Sequence, residues 1–158
     1  MEKVEGLKGL ESVFSGMQAA YEDMGGNLEI MLEGEMDGLE KDHKRFFNDS
    51  VSPSGSKWAK LAASTIKRKG HDTILVDTGA LMKSLTQKGA NYSIREFYRI
   101  GQVGVALLFG TSVPYAIFHM KGTGDRPARP MVGLTKDRTD KFQEKLGDML
   151  VEQIVNAD

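Results

Sequence analysis

The feature that most restricts how this chain can fold is the spacing of apolar residues over its first third. Between residues 5 and 24 they recur at steps of three and four, as Leu7, Leu10, Val13, Phe14, Met17, Tyr21 and Met24. Similar steps continue in Leu28, Met31, Leu32, Met36, Leu39, His43, Phe46 and Phe47. Such spacing places residues on one face of an α-helix. Each apolar face must be covered by the rest of the domain or by a neighbouring subunit.

Two helices are predicted within residues 1–47. Gly25-Gly26 should end the first helix, and Asn27 is a suitable N-cap for the second. The segment 48–56, rich in Ser, Pro and Gly, is predicted to be a flexible loop. Residues 57–158 form the predicted core, and a length of 158 residues favours one domain overall.

The core combines helix and strand signals. A basic helix should contain Trp58, Leu61 and Ile66 and end at Gly70. Strands are predicted at about 84–90, 92–100 and 103–111, with turns at Gly89 and Gly101. Apolar residues at steps of two from Val103 to Phe109 indicate a strand with one buried face.

A short helix is predicted from Pro114 to Met120, and the Gly and Pro content of residues 121–130 prevents regular structure there. A long helix should follow from Thr135 and turn its apolar residues inward, namely Phe142, Leu146, Met149, Leu150 and Ile154. The predicted fold class is therefore α+β, with N-terminal helices, a central antiparallel sheet of three to four strands and a long C-terminal helix.

The composition argues against several kinds of site. The chain has no cysteine, and His43, His71 and His119 lack the spacing of metal ligands, so we expect no metal site. A formal net charge of −1 gives the whole molecule no attraction for nucleic acid or an anionic membrane. The apolar runs are too short to span a bilayer, and the start lacks the parts of a signal peptide. Without a phosphate-binding loop or a nucleophile–base pair, we expect no cofactor and no catalytic residues.

The triplet Asp77-Thr78-Gly79, within LVDTGAL, matches the active-site signature of aspartic proteases. Such an enzyme would have to dimerise, because its mechanism needs two carboxylates that share one proton. RIGQVG at residues 99–104 and MVG at 131–133 imitate the flap and the later packing element of that class. A dimeric aspartic protease is therefore one hypothesis for this chain.

The residues that flank the triplet favour a different interpretation. The residues before it indicate a helix rather than a strand, and Leu81, Met82 and Leu85 are spaced like one turn of a helix. Thr78 can cap that helix, Asp77 offers a capping acceptor, and Gly79 permits a sharp turn. The triplet is therefore predicted to be a turn that leads into a helix, with the protease as the alternative.

The stretches around this triplet form an ordered set. Trp58, Leu61 and Thr65 are followed by RKGHDTILVDTGALMKSL and then by GTSVPYAIFHMKGTGDRPARPMVGL. In this order they resemble the phage virion morphogenesis family, the Mu-type relatives of tail-completion and head–tail joining proteins, over about residues 57–134. Lys121 is a departure, since relatives often carry an aromatic residue before these glycines.

The resemblance implies a structural protein without catalytic chemistry. Such a protein would assemble in the host cytoplasm into a ring, as a hexamer or dodecamer, at the head–tail junction or the tail end of the virion. Its partners would be further copies of itself and other neck, portal-side or tail proteins. A soluble assembly factor that is absent from the finished particle is a second alternative.

Several residues are candidates for subunit or partner contacts, namely Tyr115, His119, Lys121, Arg126, Pro127, Arg129 and Pro130. Arg126 and Arg129 suit carboxylates on a neighbour, or are two solvated arginines in a mobile loop. Trp58 is interpreted as a core residue, with an interface anchor as the alternative. Lys67, Arg68 and Lys69 could make weak, salt-dependent contact with DNA in the ring lumen, or form a solvated helix face.

Overall fold

The computed structural model describes the backbone of residues 2–101 and 104–155, and within these ranges all side chains except those of residues 2–23 and 154. The elements are α1 (Glu2–Asp49), α2 (Ala63–Lys69), α3 (Ala80–Thr86), β1 (Ser93–Ile100), β2 (Gly104–Thr111), α4 (Ala116–Lys121) and α5 (Lys136–Val155). Helices at both ends flank a central antiparallel hairpin. The mixed α+β class is therefore confirmed.

Helix α1 is continuous from Glu2 to Asp49, so the predicted break at Gly25-Gly26 is wrong and Asn27 is an interior residue. A glycine inside a helix costs only about 1 kcal/mol relative to alanine, which packing can outweigh. An unbroken helix places Leu28 and Leu32 in line with Leu39, along the groove that α1 forms with β2 and α5. The predicted apolar face at residues 7–21 lies outside the described side chains.

The sheet has two strands, and the predicted third strand at 84–90 is wrong. Those residues form the end of α3 and a turn, because Leu81 and Leu85, one helical turn apart, are both buried. The Ser84 hydroxyl bonds the Leu81 carbonyl at 2.8 Å and the Thr111 hydroxyl at 2.7 Å, which joins α3 to the end of β2.

Strands β1 and β2 pair antiparallel, from Ser93 opposite Thr111 to Ile100 opposite Gly104. The predicted turn at Gly101 is present, with φ of 65°, whereas Val103 lies outside the described residues. Arg95 fixes the hairpin to α1. Its guanidinium lies 3.9 Å from the centre of the Phe109 ring, and its Nε donates to a Glu40 carboxylate oxygen at 3.2 Å.

The apolar core lies where the end of α1 meets α3, the start of α4 and the segment before α5. Its buried members are Phe46, Phe47, Trp58, Ile74, Leu81, Leu85, Val113, Ala116 and Met131. Trp58 belongs to this core, and its Nε1 donates to the Pro130 carbonyl at 2.9 Å. Helix α2 begins only at Ala63, after Trp58 and Leu61, because Ala62 is extended with ψ of 149°. It ends as predicted at Gly70, which has φ of 78°.

Segment 48–56 begins in the last turn of α1, which ends at Asp49, and then folds back on itself. Val51 pairs with Lys57 in an isolated bridge, and the Trp58 amide donates to the Ser50 carbonyl at 2.8 Å. Inside this turn the buried Ser52 hydroxyl contacts the Ser54 hydroxyl at 2.8 Å and accepts from the Ser56 amide at 3.1 Å. The turn thereby brings Trp58 back against Phe47, with ring centres 5.6 Å apart.

The helices predicted at 114–120 and from 135 are α4 and α5, and α5 runs antiparallel to α1. Phe142 and Leu146 line the groove with Leu28 and Leu32, and Met149 lies beside Met31. Leu150 is 41% exposed rather than inward, and the Ile154 side chain is outside the described set. Polar contacts hold the two helices together at Arg138, which donates to Asp42 and Glu35, each at 2.6 Å.

His43, near the end of α1, should make the protein less stable in mild acid. Its Nδ1 donates to the Leu39 carbonyl at 2.6 Å, and it is buried between the rings of Phe46 and Phe109. Burial lowers the pKa of His43 below its usual 6.5. Because the unfolded chain then binds the proton more readily, stability present above about pH 6.5 is lost as the pH falls.

We therefore expect the free energy of unfolding, measured by urea titration, to fall between pH 7 and 5. His43→Gln should remove most of this slope. His119→Gln is the matched comparison, since burial also lowers the pKa of the half-buried His119, and it should remove less. An unchanged slope in the His43 variant would contradict this assignment.

Candidate functional site

The sequence stretches that carry the family resemblance converge on one cavity of about 350 Å³. We call it the basic cavity. Its walls come from α2, from the turn before α3, from α4 and from the segment before α5. The lining residues are Leu61, Thr65, Arg68, Lys69, Leu75, Val76, Asp77, Thr78, Gly79, Ala80, Leu81, Tyr115, His119 and Arg129.

The turn at residues 75–79 shapes one wall of the basic cavity. Leu75 and Gly79 both have positive φ, 59° and 82°, so the chain reverses sharply before α3. Gly79 occupies the N-cap position and its carbonyl accepts the Lys83 amide at 2.8 Å. Glycine adopts this left-handed conformation without the steric cost that a side chain would bring.

Asp77 does not cap α3, contrary to the sequence-based expectation. A capping acceptor has to stand at the N-cap itself, and that position belongs to Gly79, two residues later. The Thr78 hydroxyl accepts the Ala80 amide at a long 3.4 Å. The Asp77 carboxylate is instead 62% exposed and lies 3.5 Å from Nη1 of Arg68. Among the described residues that line the cavity, Asp77 is the one carboxylate.

Arg129 is held at the wall of the basic cavity by the backbone. It is buried, its Nε donates to the Ala59 carbonyl at 2.9 Å, and its Nη2 donates to the Lys60 carbonyl at 3.1 Å. Burial lowers its pKa, but an arginine stays charged at neutral pH. Arg129 is therefore not a solvated loop residue, and it ties the segment before α5 to the segment before α2.

His119 faces a positive environment. Burial first, and then the charges of Arg129, Arg126 and Lys69, lower its pKa, which keeps the imidazole neutral at pH 7. Its ring meets Tyr115 edge-on at 5.9 Å, as expected for residues four apart on one helix. The cavity therefore combines a neutral imidazole with the cations Arg68, Lys69 and Arg129.

The remaining candidate residues lie outside the cavity lining. Lys121, Arg126, Pro127 and Pro130 are exposed. Arg126 pairs with Thr123 in an isolated β-bridge within the Gly-rich turn. The Pro130 carbonyl accepts the hydrogen bond from the Trp58 indole N–H. Of the three basic residues of α2, Arg68 and Lys69 line the cavity and Lys67 does not.

Spacing along the chain does not show that these stretches share a cavity, and Leu75 and Val76, although part of LVDTGAL, are not among the predicted site residues. The sequence feature that could indicate a shared site is the ordered set of motifs, because its members belong to one family pattern. The hydrogen bond from Arg129 to the Ala59 carbonyl joins residues that are 70 positions apart, so no local sequence pattern predicts it.

Comparison with known proteins identifies the class. The chain belongs to the phage virion morphogenesis family, whose sequence model matches residues 7–151. It is similar to Mu-like prophage FluMu G protein 1 of Haemophilus influenzae, at 29% identity over 117 residues, 72% of this chain and 73% of that protein. No solved structure matches the chain. The family match extends well beyond the motifs at 57–134 and supports a role in phage morphogenesis.

Within residues 2–101 and 104–155, no helix combines the length and the apolar character needed to cross a membrane.

Proposed function

We propose that this protein is a non-enzymatic structural subunit of the phage head–tail junction or tail end, where it assembles into a ring and completes or joins the tail. The observation that carries the proposal is the family match over residues 7–151. The basic cavity agrees with it, because the Asp77 carboxylate is 62% exposed beside Arg68, whereas an aspartic protease needs carboxylates that share one proton.

Two surfaces suit contacts between subunits. The hairpin exposes large apolar side chains, namely Tyr92, Phe97, Tyr98, Ile100 and Leu108, and α4 exposes Ile117 and Phe118. Exposed apolar patches of this kind mark protein–protein contacts, and aromatic residues are enriched in them. The partners would be further copies, as a hexamer or dodecamer, and neck, portal-side or tail proteins. Exposed Lys67 could add a weak contact with DNA in the lumen.

The first test removes the gene from the phage and supplies it in trans. We expect lysates without the protein to contain heads and tails that fail to join, or tails of abnormal length, when viewed by electron microscopy. Mass spectrometry of purified wild-type virions should detect the protein in the virion. Its absence from tailed particles, with restored yield in trans, would favour the non-virion assembly factor instead.

The second test addresses the protease alternative through Asp77→Asn. A dimeric aspartic protease would lose activity because each active site needs both carboxylates. For a structural subunit we expect an undiminished yield of infectious particles, and no peptidase activity in the wild-type protein. Asp72→Asn, an exposed residue with the same change of charge, is the matched control. A collapse of particle yield in the Asp77 variant alone would support the protease.

A further inference from the structure

We propose that the basic cavity is a socket for an acidic and apolar peptide segment of an adjoining morphogenesis protein. A carboxylate of that segment would lie against Arg68 and Lys69, with a neighbouring aliphatic side chain against Leu61 and Leu75. The proposal rests on the proposed function, since it names the kind of partner that the family site would take.

The charges in the basic cavity do not balance. Its lining holds the cations Arg68, Lys69 and Arg129 and one carboxylate, that of Asp77, while the exposed Asp72 acts on Lys69 from outside the lining. The Arg68–Asp77 pair spans 3.5 Å with side chains 67% and 62% exposed, and exposed pairs of this kind contribute about 0–1 kcal/mol. Arg68 is therefore available to an external carboxylate at little cost.

Lys69 has further hydrogen-bonding capacity. Its Nζ donates to the Thr73 carbonyl at 2.6 Å, and an ammonium carries three donors. Burial, together with the charges of Arg68 and Arg129, lowers the pKa of Lys69, although Asp77 and Asp72 oppose the shift. The His119 pKa is lowered by the same surroundings. Burial is the largest cause of both shifts, and the negative charge of an incoming carboxylate would oppose both of them.

The shape of the basic cavity favours a peptide over nucleic acid. Its volume of about 350 Å³ is at the lower end of the range for small-ligand pockets and suits one or two side chains. A DNA duplex cannot enter it. Aliphatic walls at Leu61, Leu75 and Leu81 provide contacts that a sugar–phosphate backbone would not use. Recognition of a carboxylate by an arginine beside an apolar wall is therefore the best match.

The probe is the acetylated tripeptide Leu-Glu-Leu amide, compared with its isostere Leu-Gln-Leu amide. Binding to the full chain is followed by NMR of the Leu81 methyl groups and the His119 ring. We expect the Glu peptide to bind at least about tenfold more tightly, because hydrogen bonds to charged groups are the stronger ones. It should also raise the pKa of His119, because it brings a negative charge close to the ring.

Variants decide where the peptide binds. Arg68→Gln should weaken Glu-peptide binding about threefold to tenfold. Asp77→Asn should strengthen it, because the internal competitor for Arg68 is gone. Lys141→Gln, which removes an exposed positive charge on α5, should change little beyond the salt-dependent background. Thermal unfolding confirms that each variant is folded.

Three results would overturn the socket: no binding of either peptide, equal binding of both, or weaker binding by the Asp77 variant. Preferential binding of a short oligothymidylate at Leu81 and His119 would also overturn it, in favour of nucleic acid. None of these results would affect the gene-removal test, so failure of the socket and failure of the structural role can be told apart.

Discussion

Replacing Trp58 with alanine is expected to lower the free energy of unfolding by about 3–5 kcal/mol, the range for removal of a large aromatic side chain from a core. Trp58 is buried, packs edge-on against Phe47, and bonds the Pro130 carbonyl through its indole. It thereby joins the end of α1 to the segment before α5. Its loss leaves a void in the core and removes the indole hydrogen bond to Pro130.

The measurement is urea unfolding followed by circular dichroism, because Trp58 is the one tryptophan and its fluorescence is lost with it. Trp58→Phe keeps an aromatic ring and should cost less, because it removes only part of the buried ring and one part-buried hydrogen bond to the exposed Pro130. Phe118→Ala, which removes a 55% exposed aromatic residue from α4, is the surface control and should stay within about 0.5 kcal/mol. A Trp58→Ala variant as stable as this control would place Trp58 outside the core.

Sequence periodicity predicted the helices because their apolar faces are local patterns. Phe142, Leu146 and Met149 fall on one side of α5 whatever lies opposite them, and Gly70 ends α2 through its own backbone conformation. The turn at Asp77-Thr78-Gly79 could also be predicted from the sequence, because the spacing of Leu81 and Leu85 indicates the helix that follows. In each case the decisive interaction spans only a few residues.

The errors arose where a tertiary contact overrode a local preference. Gly25-Gly26 weakens a helix locally, but a helix packed on α5 and β2 further along continues through that weakness. Residues 84–86 are the last turn of α3 and 87–90 form a turn after it, so the strand predicted at 84–90 lies where the Ser84 hydroxyl is in fact bonded to Thr111. The basic cavity escaped prediction for the same reason, since its walls meet only in the folded chain.

Arg138 provides the second large expected effect, because it joins α5 to α1 through charges that local sequence patterns do not reveal. Its Nη1 donates to Glu35, 103 residues away, and its Nε donates to Asp42, while Lys145 donates to Glu35 at 2.8 Å. The Glu35 and Asp42 side chains are only 10% and 18% exposed. Burial alone would raise the pKa of Glu35, but the hydrogen bonds of Lys145 and Arg138 bring it below its usual value.

We expect Arg138→Met to lower the free energy of unfolding at pH 7 by about 3 kcal/mol, since it leaves two largely buried carboxylates without their shared partner. Lys141→Met, which breaks an exposed pair with Asp137, should cost no more than about 0.5 kcal/mol. Urea unfolding of the two variants at pH 7 makes the comparison. Equal stability of the two would show that the carboxylates are solvated well enough without Arg138.

The same network should also affect how the free energy of unfolding depends on pH in acid. Because the folded pKa of Glu35 lies below its unfolded value, its contribution is present above about pH 4.5 and is lost as the pH falls further. The Arg138 variant should therefore show a shallower loss of stability below pH 4.5 than the wild type.

Gly38 lets the Arg138 guanidinium cross α1 closely, and a Cβ there would collide with it. Because this guanidinium is held by Glu35 and Asp42, Gly38→Ala should pull it off these carboxylates and destabilise the protein despite the better helix propensity of alanine. Gly34→Ala, at an open position of the same helix, should stabilise it by up to about 1 kcal/mol. If both substitutions stabilise the protein, the guanidinium reaches Glu35 and Asp42 by another path, and the close crossing at Gly38 is not needed for the network.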